Sequence, residues 1–130
     1  MGSVLFVCLH GSAKSLIAAE YFNRLSAARH LGVRATSAGV EPDDAIPPRV
    51  VQGLLADGID VGGRRPSGLG QADLADASRI VTFGCDLDNA PSGVVVERWD
   101  DVPLVSEDFQ KARDVIVTKL PRLLDDCART

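Results

Sequence analysis

Aromatic residues are scarce: one tryptophan, one tyrosine and four phenylalanines stand in 130 residues, so the core must be built mainly from aliphatic side chains. Positive charge is also short. Fourteen Lys and Arg face 18 Asp and Glu, a net charge of -4 with a pI of about 5.0. Such a field repels polyanions and leaves no footprint for DNA or RNA, so any bound anion must be held locally. Long hydrophobic runs are missing too. No stretch approaches the roughly 18 apolar residues of a membrane span, and the start of the chain lacks a basic region, apolar stretch and small-residue cleavage site, so a cytoplasmic location away from membranes is expected. Cysteine is limited to Cys8, Cys85 and Cys127, with no CxxC pair, which excludes a secreted disulfide framework. His10 and His30 are the two histidines and neither sits in an HExxH-like pair. No metal and no cofactor are expected.

What is present is a soluble globular composition, 45% apolar and 25% charged, in a chain of one-domain length; residues 1–130 are read as one domain. Ser3 to Val7 form a short apolar run ending at a Gly/Ser loop, the signature of a buried parallel strand. From Ser15 the apolar positions Leu16, Ala19, Phe22 and Leu25 share a helical face, which predicts a helix to about Arg29, stopping near Gly32. "VRATSAG" (Val33 to Gly39) reads as a second strand. After the "EPDDAIPP" loop, Pro48 suits the first turn of a helix that runs to about Asp57 and closes at Gly58. "VGGRRPSGLGQ" is a longer loop, followed by a short helix over Gln71 to Ala77. "RIVTFG" and "VVVERW" read as strands three and four. The last helix covers about Glu107 to Cys127, with Pro121 predicting a kink or break. Alternating strands and helices imply an α/β fold: a single-domain three-layer sandwich, its four-stranded parallel sheet in order 2-1-3-4 with helices on both faces.

In such sheets ligands sit beyond the carboxyl ends of the strands, where the order reverses. Cys8 occupies that position. The following loop, Leu9, His10, Gly11, Ser12, Ala13, Lys14 and Ser15, leads into a helix N-terminus, so backbone N–H groups, the helix dipole and the Lys14 charge converge on one point. That point is a candidate oxyanion site, and the same donors favour the reactive thiolate form of the sulfur beneath it. The alternative is a buried structural cysteine acting as a small hydrophobe. His10 has two readings as well: a tuner of the thiolate, or a solvated loop side chain.

These residues resemble the low-molecular-weight protein tyrosine phosphatase superfamily, in its arsenate reductase branch. The family loop is C-x5-R-S, usually with Asn at the fourth position; here "CLHGSAKS" makes it C-x5-K-S with Gly11 in the Asn place. The likeness continues through "TSAGVEP", "VTFGCDLDNAP" and "ERWDD" to "EDFQKARDVI". Three departures stand out. Lys14 replaces an arginine whose planar fork grips two oxygens, so weaker anion binding is expected. Gly11 suits a left-handed backbone but lacks side-chain hydrogen bonds to brace the loop. The family's late Asp-Pro acid is missing; in "WDDVPLVSED" Asp100 and Asp101 are the nearby substitutes. A lost general acid costs phosphate monoester hydrolysis about 100 to 10,000-fold.

Cys85 follows "RIVTFG". If strands one and three are neighbours at about 4.8 Å, the alpha carbons of Cys8 and Cys85 could come within disulfide range. The resemblance implies a role for each: Cys8 as nucleophile on arsenate and Cys85 as the resolving thiol, with thioredoxin or a low-molecular-weight thiol as recycling partner. The third cysteine of thioredoxin-coupled members falls at Ala90, and Cys127 reads as a packing or surface residue. Cys85 also has a plainer reading, as a core cysteine beside Asp86 and Asp88, whose charges oppose its ionisation. Three functions follow: an arsenate-reductase-like enzyme on a small oxyanion, a phosphatase acting on phosphomonoesters through cysteinyl-phosphate, or an oxyanion-binding or redox-sensing module.

Overall fold

The computed structural model describes residues 2–87 and 90–129; Asp88 lies outside them. The run "VLFV" forms the inner strand β1 (Ser3–Cys8), and its period of two sorts its side chains between two cores. Val4, Phe6 and Cys8 enter the larger cluster, Leu5 and Val7 the smaller one on the opposite face. β2 (Arg34–Gly39), β3 (Arg79–Thr82) and β4 (Val95–Arg98) complete an all-parallel sheet in the order β2-β1-β3-β4. This is the expected 2-1-3-4 sandwich. α1 (Lys14–Ala28), α2 (Pro48–Ala56) and α4 (Phe109–Ala128) supply Phe22, Leu54 and Ile116 to the larger core, while α3 (Gln71–Asp76) supplies Leu74 to the other. The few aromatics gather: Phe6 meets Phe22, Phe83 and Trp99 at centroid separations of 6.0, 6.1 and 5.8 Å.

Element ends differ from the sequence expectation in physically readable ways. α1 stops at Ala28, before Gly32, because His30 takes the left-handed turn at φ 57°. α4 starts at Phe109, where the Asp108 carboxylate accepts the Lys111 N–H at 3.0 Å. Pro121 does not break α4, which is one helix through to Ala128. An interior proline costs a helix about 3 kcal/mol. Leu120, Leu123 and Leu124 are essentially inaccessible, and each stabilises the fold by about 1.5–3 kcal/mol on burial, which outweighs that loss. Among the described residues no helix is long and apolar enough to cross a membrane.

Candidate active site

Cys8 ends β1, opposite Gly39 at the end of β2. Beyond them the two chains stay zipped: Val40 N–H donates to Cys8 O at 3.1 Å, Glu41 N–H to Leu9 O at 2.7 Å and Asp43 N–H to His10 O at 3.1 Å. The loop from Leu9 to Ala13 is thereby fixed along one side. Two glycines permit this approach. Gly11 has φ +65°, the left-handed conformation, and a Cβ there would lie 2.6 Å from Gly39 N.

The loop curls back over the sulfur. Gly11 N–H donates to Cys8 Sγ at 3.1 Å and Ser15 Oγ lies 3.0 Å from the same atom. Cys8 and Ser15 are both buried, at 7% and 0% exposure. No side chain caps α1, so its first N–H groups carry the positive end of the helix dipole unanswered by a capping oxygen. Lys14 reaches across to donate from Nζ to Val102 O at 2.9 Å, which commits one of its three donors.

Above the sulfur lies a cavity of about 630 Å³ lined by Cys8, Leu9, His10, Ser12, Ala13 and Lys14 together with Asp43, Arg49 and an apolar wall that includes Phe83, Leu104 and Val105. Thus Cys8, Leu9, His10, Ser12, Ala13 and Lys14 come together on one cavity, with Gly11 and Ser15 bonded to the sulfur beneath it. Asp100 and Asp101 are not on its wall. Asp100 accepts from Gly84 N–H at 3.1 Å and from Arg98 Nε at 3.1 Å. Asp101 is held by Lys119 Nζ at 2.9 Å, and this bond keeps its carboxyl below the usual carboxylate range. Cys85 is half-buried and packs against the smaller core, on the sheet face opposite Cys8, with its thiol donating to Val7 O at 3.6 Å. Burial pushes the Cys85 thiol up, the Phe83 backbone hydrogen bond opposes this, and negative charge on Cys8 adds to the rise. None of the three cysteines is in a disulfide. Cys127 is buried at the end of α4. Among the described residues no cluster of His, Cys, Asp and Glu is arranged to hold a metal ion.

The structure adds residues that sequence reading passed over. Asp43, in a stretch that reads as a polar loop, accepts from Ser12 Oγ at 2.8 Å and lies 3.3 Å from His10 Nδ1. Arg49 reaches the Ser106 carbonyl. Gly39 carries a signal in hindsight, a glycine ending a strand directly opposite a glycine-bearing loop.

An open parallel sheet with a cysteine at its switch point, set under a loop that opens a helix, defines the class: a single-domain α/β protein with a thiol-centred pocket. The chain belongs to the low molecular weight phosphotyrosine protein phosphatase family, whose model matches residues 3–98. Among solved structures it is similar to the thioredoxin-dependent arsenate reductase of Corynebacterium glutamicum, with 23% identity and a TM-score of 0.82 over 98% of this chain and 62% of that one. It is also similar to the low molecular weight protein tyrosine phosphatase of T. tengcongensis, with 21% identity and a TM-score of 0.85 over 97% and 99%. The arsenate reductase of Archaeoglobus fulgidus shares 25% identity with a TM-score of 0.73 over 94% and 98%. The chain spans less than two thirds of the Corynebacterium protein's length. No curated protein sequence matches it.

Proposed function

We propose that the protein is a thiol enzyme of the arsenate reductase type, with Cys8 as nucleophile on a small tetrahedral oxyanion and Cys85 as resolving thiol. The observation that carries this reading is the pair of hydrogen bonds at Cys8 Sγ, one from Gly11 N–H at 3.1 Å and one with the Ser15 hydroxyl at 3.0 Å, which donates when the sulfur is a thiolate. Both are worth more to a sulfur bearing charge. The oxyanion would sit above it against the loop N–H groups and Lys14. As the As–S bond forms, one As–O bond breaks and its oxygen leaves as water. Cys85 sulfur then attacks Cys8 Sγ: an S–S bond forms, the S–As electron pair passes to arsenic, As(V) becomes As(III), and arsenite departs. Thioredoxin or a low-molecular-weight thiol would reduce the bridge.

Two features support reduction over hydrolysis. Asp100 and Asp101 are engaged by Arg98 and Lys119 off the cavity wall, which leaves neither aspartate of "WDD" in position as the acid. A second thiol stands just beyond the adjoining strand, and burial together with negative charge on Cys8 disfavours its ionisation. Closing the bridge requires the segment after β3 to swing across the sheet end. Gly84, at φ +72°, would serve as the pivot, and its N–H bond to Asp100 would open in that movement. The apolar wall of Phe83, Leu104 and Val105 favours a second reading, a phosphatase that accepts an organic phosphomonoester.

The assay is arsenate-dependent loss of free thiols, with mass analysis for an intramolecular bridge. Steady loss that Cys8→Ser abolishes and Cys85→Ser stalls is expected; its absence removes the reductase reading. Aryl phosphate hydrolysis without thiol loss favours the phosphatase. If both assays are silent while phosphate still raises thermal stability, the site is a binding module.

A further inference from the structure

We propose that His10 is the proton donor to the leaving oxygen, with Asp43 as its positioning residue. The inference rests on the reading of Cys8 as nucleophile. Attack on a tetrahedral oxyanion expels an oxygen that needs a proton, and the aspartates after β4 are held elsewhere. On the cavity wall the remaining titratable groups are His10, Lys14, Asp43, Arg49 and Cys8 itself. Arg49 keeps its proton, and Lys14 gives one donor to Val102 O and its charge to the anion. Asp43 accepts from Ser12 Oγ at 2.8 Å and faces His10 Nδ1 at 3.3 Å, so both of its oxygens are engaged by the loop. That leaves the imidazole.

Its geometry suits the task. Nδ1 is turned to two acceptors, Glu41 O at 3.2 Å and the Asp43 carboxylate at 3.3 Å. Nδ1 therefore carries a proton, and Nε2 is the ring nitrogen not engaged by Glu41 or Asp43, on a residue that lines the cavity. The backbone zipper locks both residues: Asp43 N–H donates to His10 O, and Glu41 N–H to Leu9 O. Ser12, 2% exposed, ties the same carboxylate to the loop, so the imidazole, its carboxylate and the nucleophile are linked through one loop. In the step itself the Cys8 sulfur forms a bond to the central atom and the bond to the leaving oxygen breaks. The imidazolium Nε2 proton passes to that oxygen, and neutral imidazole remains, still donating from Nδ1 to Asp43.

The test compares two reactions of the same sulfur. Arsenate-driven thiol loss needs a proton for its leaving oxygen; alkylation by iodoacetamide expels iodide and needs none. His10→Gln is expected to slow the first about 100-fold and to leave the second within about twofold of the wild type. In His10→Ala, added imidazole restores part of the arsenate rate. Asp43→Asn lowers turnover about tenfold with KM for arsenate unchanged, the split expected when positioning for a transition-state proton is lost. Arsenate turnover within threefold of wild type in His10→Gln overturns the proposal. So does a parallel fall in alkylation, which would make His10 a group acting on the thiol. If wild type turns over p-nitrophenyl and phenyl phosphates but not arsenate, the reductase reading fails alone, and the His10→Gln loss must then be larger for phenyl phosphate, the poorer leaving group. A wild type inert toward all three overturns both, since no leaving oxygen then exists to be protonated.

Discussion

Gly39→Ala introduces one methyl group at the point where β2 meets the Cys8 loop. A Cβ there would stand 2.5 Å from Gly11 N, 2.5 Å from His10 C and 2.8 Å from His10 O. Ordinary contacts at this range need about 3.5 Å, so close to 1 Å must be found, and every atom in the way is backbone. Neither side yields easily. Gly39 is held by its N–H to Ser67 O at 2.8 Å and by Leu69 N–H to its own oxygen at 3.0 Å, and the opposing loop is tied through Leu9 O and His10 O. Overpacking of this kind costs about 1–3 kcal/mol, which for a domain of this size lowers Tm by about 5–10 °C. The larger effect falls on function, because a 1 Å displacement of a loop that positions a nucleophile costs about 100-fold in rate. Thermal melts with and without phosphate, followed by iodoacetamide alkylation of Cys8, read both quantities. Gly68→Ala is the control: its Cβ would meet only Pro42 Cγ at 3.5 Å, and a change within about 0.5 kcal/mol is expected. If Gly39→Ala melts like wild type and keeps both the phosphate-induced stabilisation and the alkylation rate, the account of a loop seated on a glycine pair is wrong.

Lys14→Arg offers a planar fork in place of a single ammonium, and phosphate affinity is expected to rise several-fold by isothermal titration; equal or weaker binding would show that the Lys14 to Val102 contact organises the loop around lysine. Tyr21, buried on α1, donates its hydroxyl to Asp57, and burial together with that bond pushes it up to about 12. The folded value exceeds the unfolded one, so this contribution is complete below pH 10 and is lost as pH rises through 12. Wild type should lose about 2 kcal/mol more than Tyr21→Phe in urea melts across that window. Pro121→Ala restores an N–H to the interior of α4 and should stabilise the protein by about 1–3 kcal/mol; a loss of stability would mean that the proline ring packs more favourably than its missing hydrogen bond costs.

Much of the architecture was legible in one dimension because it rests on local rules. The run "VLFV" before a small-residue loop could only be a buried strand, and "IAAEYF" on a helical face could only be the helix it feeds. Alternation of such units leaves a parallel sheet and puts Cys8 at its switch point. Pro48 and Gly58 mark the two ends of α2 for reasons internal to each residue: a fixed φ in one, a left-handed turn at φ +81° in the other. Pro121 was misleading, since the local penalty is real but a helix whose leucines face a core is held by that core.

The chain by itself set the order of elements, the position of the thiol and the loop that covers it, because periodicity, glycine and proline act over a few residues. Tertiary structure decided which distant groups meet there. It drew Asp100 and Asp101 to Arg98 and Lys119, brought Asp43 to His10, turned Cys85 to the opposite face and fitted Gly39 against Gly11. Each of these depends on how strands register and which backbone atoms come within bonding distance, and residues far apart in sequence carry no local trace of such encounters.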